Sequence, residues 1–188
     1  MNIQYAKQPE PKGLAQAFTI GKSFIGGRDV CLVLGDNIFH GAELMHQLKE
    51  AERHLNATIF AYYVKNPGAY GVVEFADDGK VLSLEEKPFF PKSNYAVPGI
   101  YFYPNRVVKY AEELKPSARG EFEITDINKR FLEEGTLSVI KMSRGIAWLD
   151  SGTPASLNDA SNFVRTIQER TGLKVADLDE IARSNNWI

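Results

Sequence analysis

The 188-residue chain has a single cysteine, Cys31, so it can form no internal disulfide, and its three histidines offer no Cys/His spacing for structural zinc. It also lacks an excess of either charge: 22 basic and 24 acidic side chains leave a formal net charge of −2. That balance gives no general attraction to a nucleic-acid polymer or an anionic membrane. No apolar run approaches the ~18 residues of a membrane span. The opening stretch, Met1 to Lys7, has no apolar signal-peptide core. Disorder is excluded in turn, because 44% of the residues are hydrophobic, 11% aromatic and only 24% charged. What remains is a globular chain with the cytoplasm as its default location. One domain is the expectation, since a chain of roughly 150 residues buries about 70% of its unfolded surface.

Strand-like and helix-like patterns alternate at first. Val30 to Leu34 is apolar on both faces, which suits a central parallel strand covered by helices and a buried, inert Cys31. Leu44, Leu48, Ala51 and Leu55 recur at helical spacing, and Ala57 to Val64 reads as a second strand, so the three form a βαβ unit. Tyr70 to Phe75 and Val81 to Glu85 flank Ala76-Asp77-Asp78-Gly79-Lys80, a hairpin signal. Pro88, Pro91 and Pro98 punctuate a long loop before a strand at Ile100 to Tyr103. Helices follow at Val107 to Leu114 and at Ile124 to Glu134, the latter stopped by Gly135. Leu137 to Met142 and Ile146 to Leu149 read as strands. Thr153-Pro154 opens a helix to about Arg170, and Asp177 begins a last one.

Three places carry candidate chemistry. In open α/β sheets ligands bind beyond the carboxyl ends of strands, and that rule selects Asp36 and Asp150. Magnesium in phosphate enzymes takes one or two carboxylates, so the pair is a candidate metal site; the alternative is that each Asp only caps its turn. Gln8-Pro9-Glu10-Pro11-Lys12-Gly13-Leu14-Ala15-Gln16-Ala17 is a proline-stiffened loop whose Gly13 permits close backbone approach ahead of a helix that could receive a ligand; an ordinary loop-to-helix entry would look the same. Glu85-Glu86-Lys87-Pro88 sets opposite charges at a strand end, where Glu accepts from sugar hydroxyls and Lys meets phosphate, or where a solvated ion pair stands. No Walker sequence and no Ser-His or Cys-His nucleophile pattern is present.

Taken in order, the segments Gln8 to Phe18, Leu34 to Phe39, Tyr70 to Phe75, Ser83 to Pro88, Pro91 to Val97, Lys115 to Glu121 and Ala147 to Thr153 resemble the glucose-1-phosphate thymidylyltransferases, bacterial sugar-nucleotide pyrophosphorylases. The resemblance covers nearly the whole chain. It implies an α/β fold, a Rossmann-like mixed sheet flanked by helices of the nucleotide-diphospho-sugar transferase type. It implies nucleotidyl transfer from dTTP to glucose 1-phosphate, giving dTDP-glucose and pyrophosphate for activated deoxysugars. Gln8, Pro9 and Gly13 match the nucleotide-binding positions. Asn37, Tyr70, Gly71, Glu86, Lys87, Val97 and Arg119 match the sugar-phosphate pocket, with Tyr101 and Trp148 lining it. Lys87 and Arg119 match its catalytic cations, and Asp36 and Asp150 match the Mg2+ ligands. The family also implies a homo-oligomer, with no membrane or nucleic-acid polymer as partner.

The family signature Gly-Gly-x-Gly-Thr-Arg-Leu, which cradles the triphosphate, and the lysine after it are not in the chain. The expectation is therefore a partial nucleotidyltransferase domain over residues 1–188, incomplete at its N-terminus and stopping at its C-terminus where the family continues into further helices, with an open sheet edge near Val30–Leu34 and either low stability in isolation or a partner that completes the sheet. A non-catalytic sugar-phosphate-binding or subunit-interaction remnant is the alternative function.

Overall fold

A computed structural model describes residues 3–188. Along the chain lie α1 (Gln16–Ile20), α2 (Lys22–Ile25), β1 (Val30–Val33), β2 (Asn37–His40), α3 (Leu44–Arg53) and β3 (Ala57–Tyr63). A 3-10 turn at Pro67–Ala69 precedes β4 (Gly71–Phe75), β5 (Val81–Glu86), β6 (Tyr95–Ala96) and β7 (Ile100–Tyr103). Then come α4 (Val107–Glu113), α5 (Ile124–Glu133), β8 (Leu137–Lys141), β9 (Ala147–Asp150), α6 (Pro154–Thr171) and α7 (Leu178–Ser184). Contacts divide these elements into two units. The first takes the chain up to Leu34 together with His40–Ile146, and the second takes Gly35–Phe39 with Ala147–Ile188.

In the first unit β3 is the hub. It pairs in parallel with β8 along one edge, and antiparallel with β7 and then β6 along the other. The β6 branch continues to β4 and β5, whose antiparallel hairpin turns at Ala76–Lys80 as expected. Beyond β7 lies β1, also antiparallel to it. β1 and β3 therefore run the same way, as a βαβ unit requires, but β7 is inserted between them. The strand buried on both faces is β3, with Ala57 to Ala61 all buried, and not β1. β1 is an edge strand of alternating exposure, with Val33 57% exposed. Among the described residues β1 pairs with β7 alone. Cys31 is correspondingly exposed rather than buried; partial desolvation of its sulfur and then the Glu52 carboxylate push its thiol up. Leu55 is likewise outside its expected helix and 93% exposed, because the backbone turns extended at His54.

The sheet alternation of β7 decides the layers. Tyr101 and Tyr103 point to one face, and Phe102 meets Phe60 on the other. Tyr103 lies edge-on to Phe18 of α1 at 5.5 Å and stacks on Phe131 of α5 at 5.6 Å. Each such pair is worth about 0.5–1.5 kcal/mol beyond area burial. The Tyr103 hydroxyl donates to Asn128 Oδ1 at 2.5 Å, so the buried phenol keeps a partner. This packing, with Val107, Val108, Tyr110 and Ala111 of α4, fixes helices against the sheet and sets the start of α5 beside the end of β5. The result is the mixed α/β sheet flanked by helices that the resemblance implied.

In the second unit β2 pairs with β9. Helix α6 begins as expected: Thr153 and Ser156 exchange hydrogen bonds in a capping box, Pro154 occupies the first turn, and Gly172 ends the helix in the left-handed conformation at φ 71°. Asp177 caps α7 by accepting from the backbone of Asp179 and Glu180. Among the described residues no helix is long and apolar enough to cross a membrane.

Candidate active site

Glu86 ends β5 and Thr125 lies in the first turn of α5, and the two side chains meet: the Thr125 hydroxyl donates to Glu86 Oε2. Gly71, at the start of β4, sits against the same pair. A Cβ there would lie 3.1 Å from Thr125 Oγ1, 3.5 Å from Glu86 Oε2 and 3.7 Å from Val97 Cβ. Backbone bonds hold the neighbours in place, with Val97 N–H donating to Gly71 O at 2.8 Å and Lys87 N–H to Tyr70 O at 3.0 Å. Lys87 takes a positive φ of 42°, a conformation unfavourable for a side-chain-bearing residue and found where a site constrains the backbone.

Arg119 reaches this group from the loop before α5. Its guanidinium lies 3.7 Å from Glu86, 3.3 Å from Glu121 and 3.7 Å from Glu123. Glu123 is nearly buried and accepts from Ser117 Oγ at 2.9 Å, which pins the loop to the start of α5. An open cleft of about 400 Å³ is lined by Glu85, Glu86, Pro88, Ser117, Arg119 and Glu123, among others. Burial pushes the Glu86 carboxyl above the usual carboxylate range. The Thr125 hydrogen bond opposes that rise, the Glu123 charge adds to it, and Lys87 and Arg119 oppose it. Tyr101 is buried close by, and desolvation, then the charge of Glu86, pushes its phenol far above the ordinary value, so it remains a neutral hydroxyl.

The Gln8 loop forms a second arrangement in the same unit. Gln8 Nε2 donates to Gly13 O at 3.1 Å and to Gln16 Oε1 at 2.8 Å. Gly13 is required for a reason the sequence did not reveal. Its φ is 110°, and a Cβ would stand 2.5 Å from Phe122 O and 2.6 Å from Phe122 N. The backbone that approaches Gly13 is thus the chain itself, tied by Phe122 N–H to Lys12 O at 2.7 Å. The helix that follows, α1, has only five residues, too few for the anion-binding terminus the loop suggested.

In the second unit Asp36 and Asp150 converge. A Cβ on Gly152 would lie 3.2 Å from Asp150 Oδ1 and 3.7 Å from Asp36 Oδ2, so both carboxylates approach the same glycine. Asn37 Nδ2 donates to Asp36 Oδ1 at 2.8 Å, and Trp148 Nε1 donates to Asn37 Oδ1 at 2.7 Å. Ser151 braces the turn through its N–H and hydroxyl, both on Asp36 O, at 2.8 and 2.7 Å. Among the described residues no cluster of three or more His, Cys, Asp or Glu could hold a metal alone. Two carboxylates this close suit a hard divalent cation that takes its other ligands from phosphate oxygens and water.

Of the residues singled out from sequence, Gly71, Glu86, Val97 and Arg119 come together directly, with Tyr70 and Lys87 joined to them through backbone. Asn37 and Trp148 belong with the aspartates of the second unit. Thr125 and Glu123 escaped sequence reasoning, and Ser117 and Gln16 lay in singled-out stretches without a role of their own, since each acquires its place through a contact between distant or irregular segments rather than through local spacing.

Residues 1–167 match the family model described as nucleotidyl transferase. The chain is 55% identical to the glucose-1-phosphate thymidylyltransferase of Neisseria meningitidis serogroup A, with all of this chain and 66% of that protein covered. It is 59% identical to the Mycolicibacterium smegmatis enzyme of the same name, with all of this chain and 65% of that protein covered. The chain thus spans slightly under two thirds of the length of these relatives. Among solved structures, a Bacillus anthracis protein assigned to the glucose-1-phosphate thymidylyltransferases and crystallised with a sucrose is 40% identical. It superposes with a TM-score of 0.73 over 84% of this chain and 63% of that one. A UDP-glucose pyrophosphorylase complexed with UDP-glucose shares the fold at 22% identity, with a TM-score of 0.76 over 87% of this chain and 66% of that one. With the family model covering most of its length and its sheet shared with these structures, the chain belongs to the nucleotidyl transferase family.

Proposed function

We propose that the protein transfers a thymidylyl group from dTTP to glucose 1-phosphate, giving dTDP-glucose and pyrophosphate, as a cytoplasmic step toward activated deoxysugars. The observation that carries this reading is that Glu86 and Arg119 meet on the wall of an open cleft, with Gly71 and Val97 packed behind Glu86. A carboxylate beside an arginine is the pairing a sugar phosphate needs: an acceptor for hydroxyls and a cation for phosphate.

In the reaction an oxygen of glucose 1-phosphate attacks the α-phosphorus of dTTP in line. The bond from the α-phosphorus to the oxygen bridging toward the β-phosphorus breaks, and pyrophosphate leaves with that electron pair. No protein nucleophile is needed; positioning and charge neutralisation supply the catalysis. Glu86 accepts from the sugar hydroxyls, with Gly71 and Val97 shaping the pocket around it. Arg119 and Lys87 meet the phosphate. Gln8, Pro9 and Gly13 hold the base. Asp36 and Asp150, with Asn37 beside them, would hold Mg2+, which when bound neutralises charge on the phosphate oxygens.

The test is to incubate the chain with dTTP, glucose 1-phosphate and Mg2+ and to measure both products. Equal amounts of pyrophosphate and dTDP-glucose are expected. Binding of glucose 1-phosphate with no turnover would replace this reading with that of a sugar-phosphate-binding remnant.

A pH dependence follows from Glu86. As hydroxyl acceptor it works ionised, so kcat/KM for glucose 1-phosphate is expected to fall as pH drops through the raised Glu86 pKa, above the usual carboxylate range. Glu86→Gln should remove that contribution and raise KM for the sugar phosphate roughly 10- to 100-fold, the worth of a charged hydrogen bond. Stability runs the other way. The folded state holds the Glu86 proton more tightly than the unfolded chain does. The contribution is therefore full below the unfolded pKa and is lost as pH rises through the folded one. Comparing pH–rate and pH–melting profiles of wild type and Glu86→Gln checks both directions.

A further inference from the structure

We propose that Gln16 is a positioning residue that fixes the orientation of the Gln8 carboxamide and thereby selects a base presenting a ring N–H donor. This rests on the reading of Gln8 as the base contact and identifies what that contact discriminates.

A backbone carbonyl can only accept a hydrogen bond. The carboxamide group of Gln8 that approaches Gly13 O at 3.1 Å is therefore its NH2 end, which fixes the amide without ambiguity. The second hydrogen of that NH2 goes to Gln16 Oε1 at 2.8 Å, which in turn fixes the Gln16 amide. Both donors of Gln8 are consumed within the protein, and what Gln8 has left for a ligand is its oxygen, an acceptor. An acceptor pairs with the N3–H of thymine or uracil. Against cytosine it faces the lone pair of N3, and two acceptors set face to face repel.

The lock is stiff because its parts are anchored separately. Gly13 O also receives the backbone N–H of Gln16 at 3.4 Å, so one carbonyl ties both glutamines. Gly13 is pressed against the Phe122 backbone. Gln16 opens α1, whose Phe18 is buried and packs on Tyr103 in the core. An exposed glutamine is thus oriented by groups on a rigid element, the arrangement that a discriminating contact needs.

The experiment titrates the full chain with dTTP and with dCTP and compares dissociation constants. Wild type is expected to prefer dTTP. Gln16→Ala, which removes the acceptor at a position where alanine suits the helix, should reduce the dTTP/dCTP preference about five- to tenfold, the worth of one hydrogen bond. Gln16→Glu still offers an acceptor to Gln8 and should keep the wild-type ratio. A purely structural role would weaken both nucleotides alike and leave the ratio unmoved. An unchanged ratio in Gln16→Ala, an equal loss in Gln16→Glu, or a wild type without preference overturns the proposal. Because binding is read and not turnover, a chain that shows the preference and its Gln16 dependence but makes no dTDP-glucose would refute the proposed reaction and leave this inference standing.

Discussion

Asp150→Asn or Asp36→Asn is expected to lower nucleotidyl transfer about a thousandfold, the several kcal/mol that a bound cation contributes to a phosphoryl-transfer barrier. Each asparagine keeps the size of the side chain and an oxygen that can still accept; Gly152 N–H donates to Asp150 Oδ1 at 3.2 Å, and an amide oxygen serves there equally. The turn therefore survives, and the melting temperature should stay within about 4 °C of wild type, because less than ~1 kcal/mol of stability is at stake. What is lost is charge. With two carboxylates beside Gly152, removal of one halves the negative charge available to a divalent cation. Titration with Mn2+ should show the loss of affinity in parallel with the loss of turnover. If instead the aspartates only cap their turns, both variants would retain near wild-type activity and cation binding.

Gly13→Ala should unfold more of the molecule than its place in an exposed loop suggests. At φ 110° an alanine is strained, and its Cβ would stand 2.5 Å from Phe122 O, against backbone that cannot yield as a flexible side chain could. The bonds at risk are Phe122 N–H to Lys12 O and Ala15 N–H to Phe122 O, which join the Gln8 loop to the segment leading into α5. A loss of about 3 kcal/mol is expected, seen as a fall in melting temperature of roughly 6–12 °C for a chain of this size. Were the glycine needed only for a ligand to approach, the variant would melt like wild type and lose nucleotide affinity alone.

The long periodic elements were legible: α3, α5 and α6 with its Thr153-Pro154 start, and the hairpin around Asp78-Gly79, all stand within a residue or two of their expected bounds. Local chemistry dictates each of them. The parallel run of β1 and β3 follows from their apolar pattern, whereas the strand between them, β7, lies some seventy residues later and pairs antiparallel with both. The two-residue β6 and the four-residue β2 carry too little pattern to stand out. In the candidate site, the charged residues at strand ends were legible from type and position. Thr125 was not, because a threonine in a helix signals nothing until Glu86 is seen beside it, and Gln16 stood in a legible stretch while its contact with Gln8 did not show. Gly13 was noticed for the right freedom and the wrong neighbour.

The central claim is that a sugar-phosphate oxygen displaces pyrophosphate from the α-phosphorus of dTTP. Its most direct test uses glucose 1-phosphate carrying 18O in its non-bridging phosphate oxygens, with unlabelled dTTP and Mg2+, and mass spectrometry of both products. All of the label is expected in dTDP-glucose, including the oxygen that now bridges the two phosphorus atoms, and none in pyrophosphate. Label in the released pyrophosphate, or no dTDP-glucose at all, would contradict it.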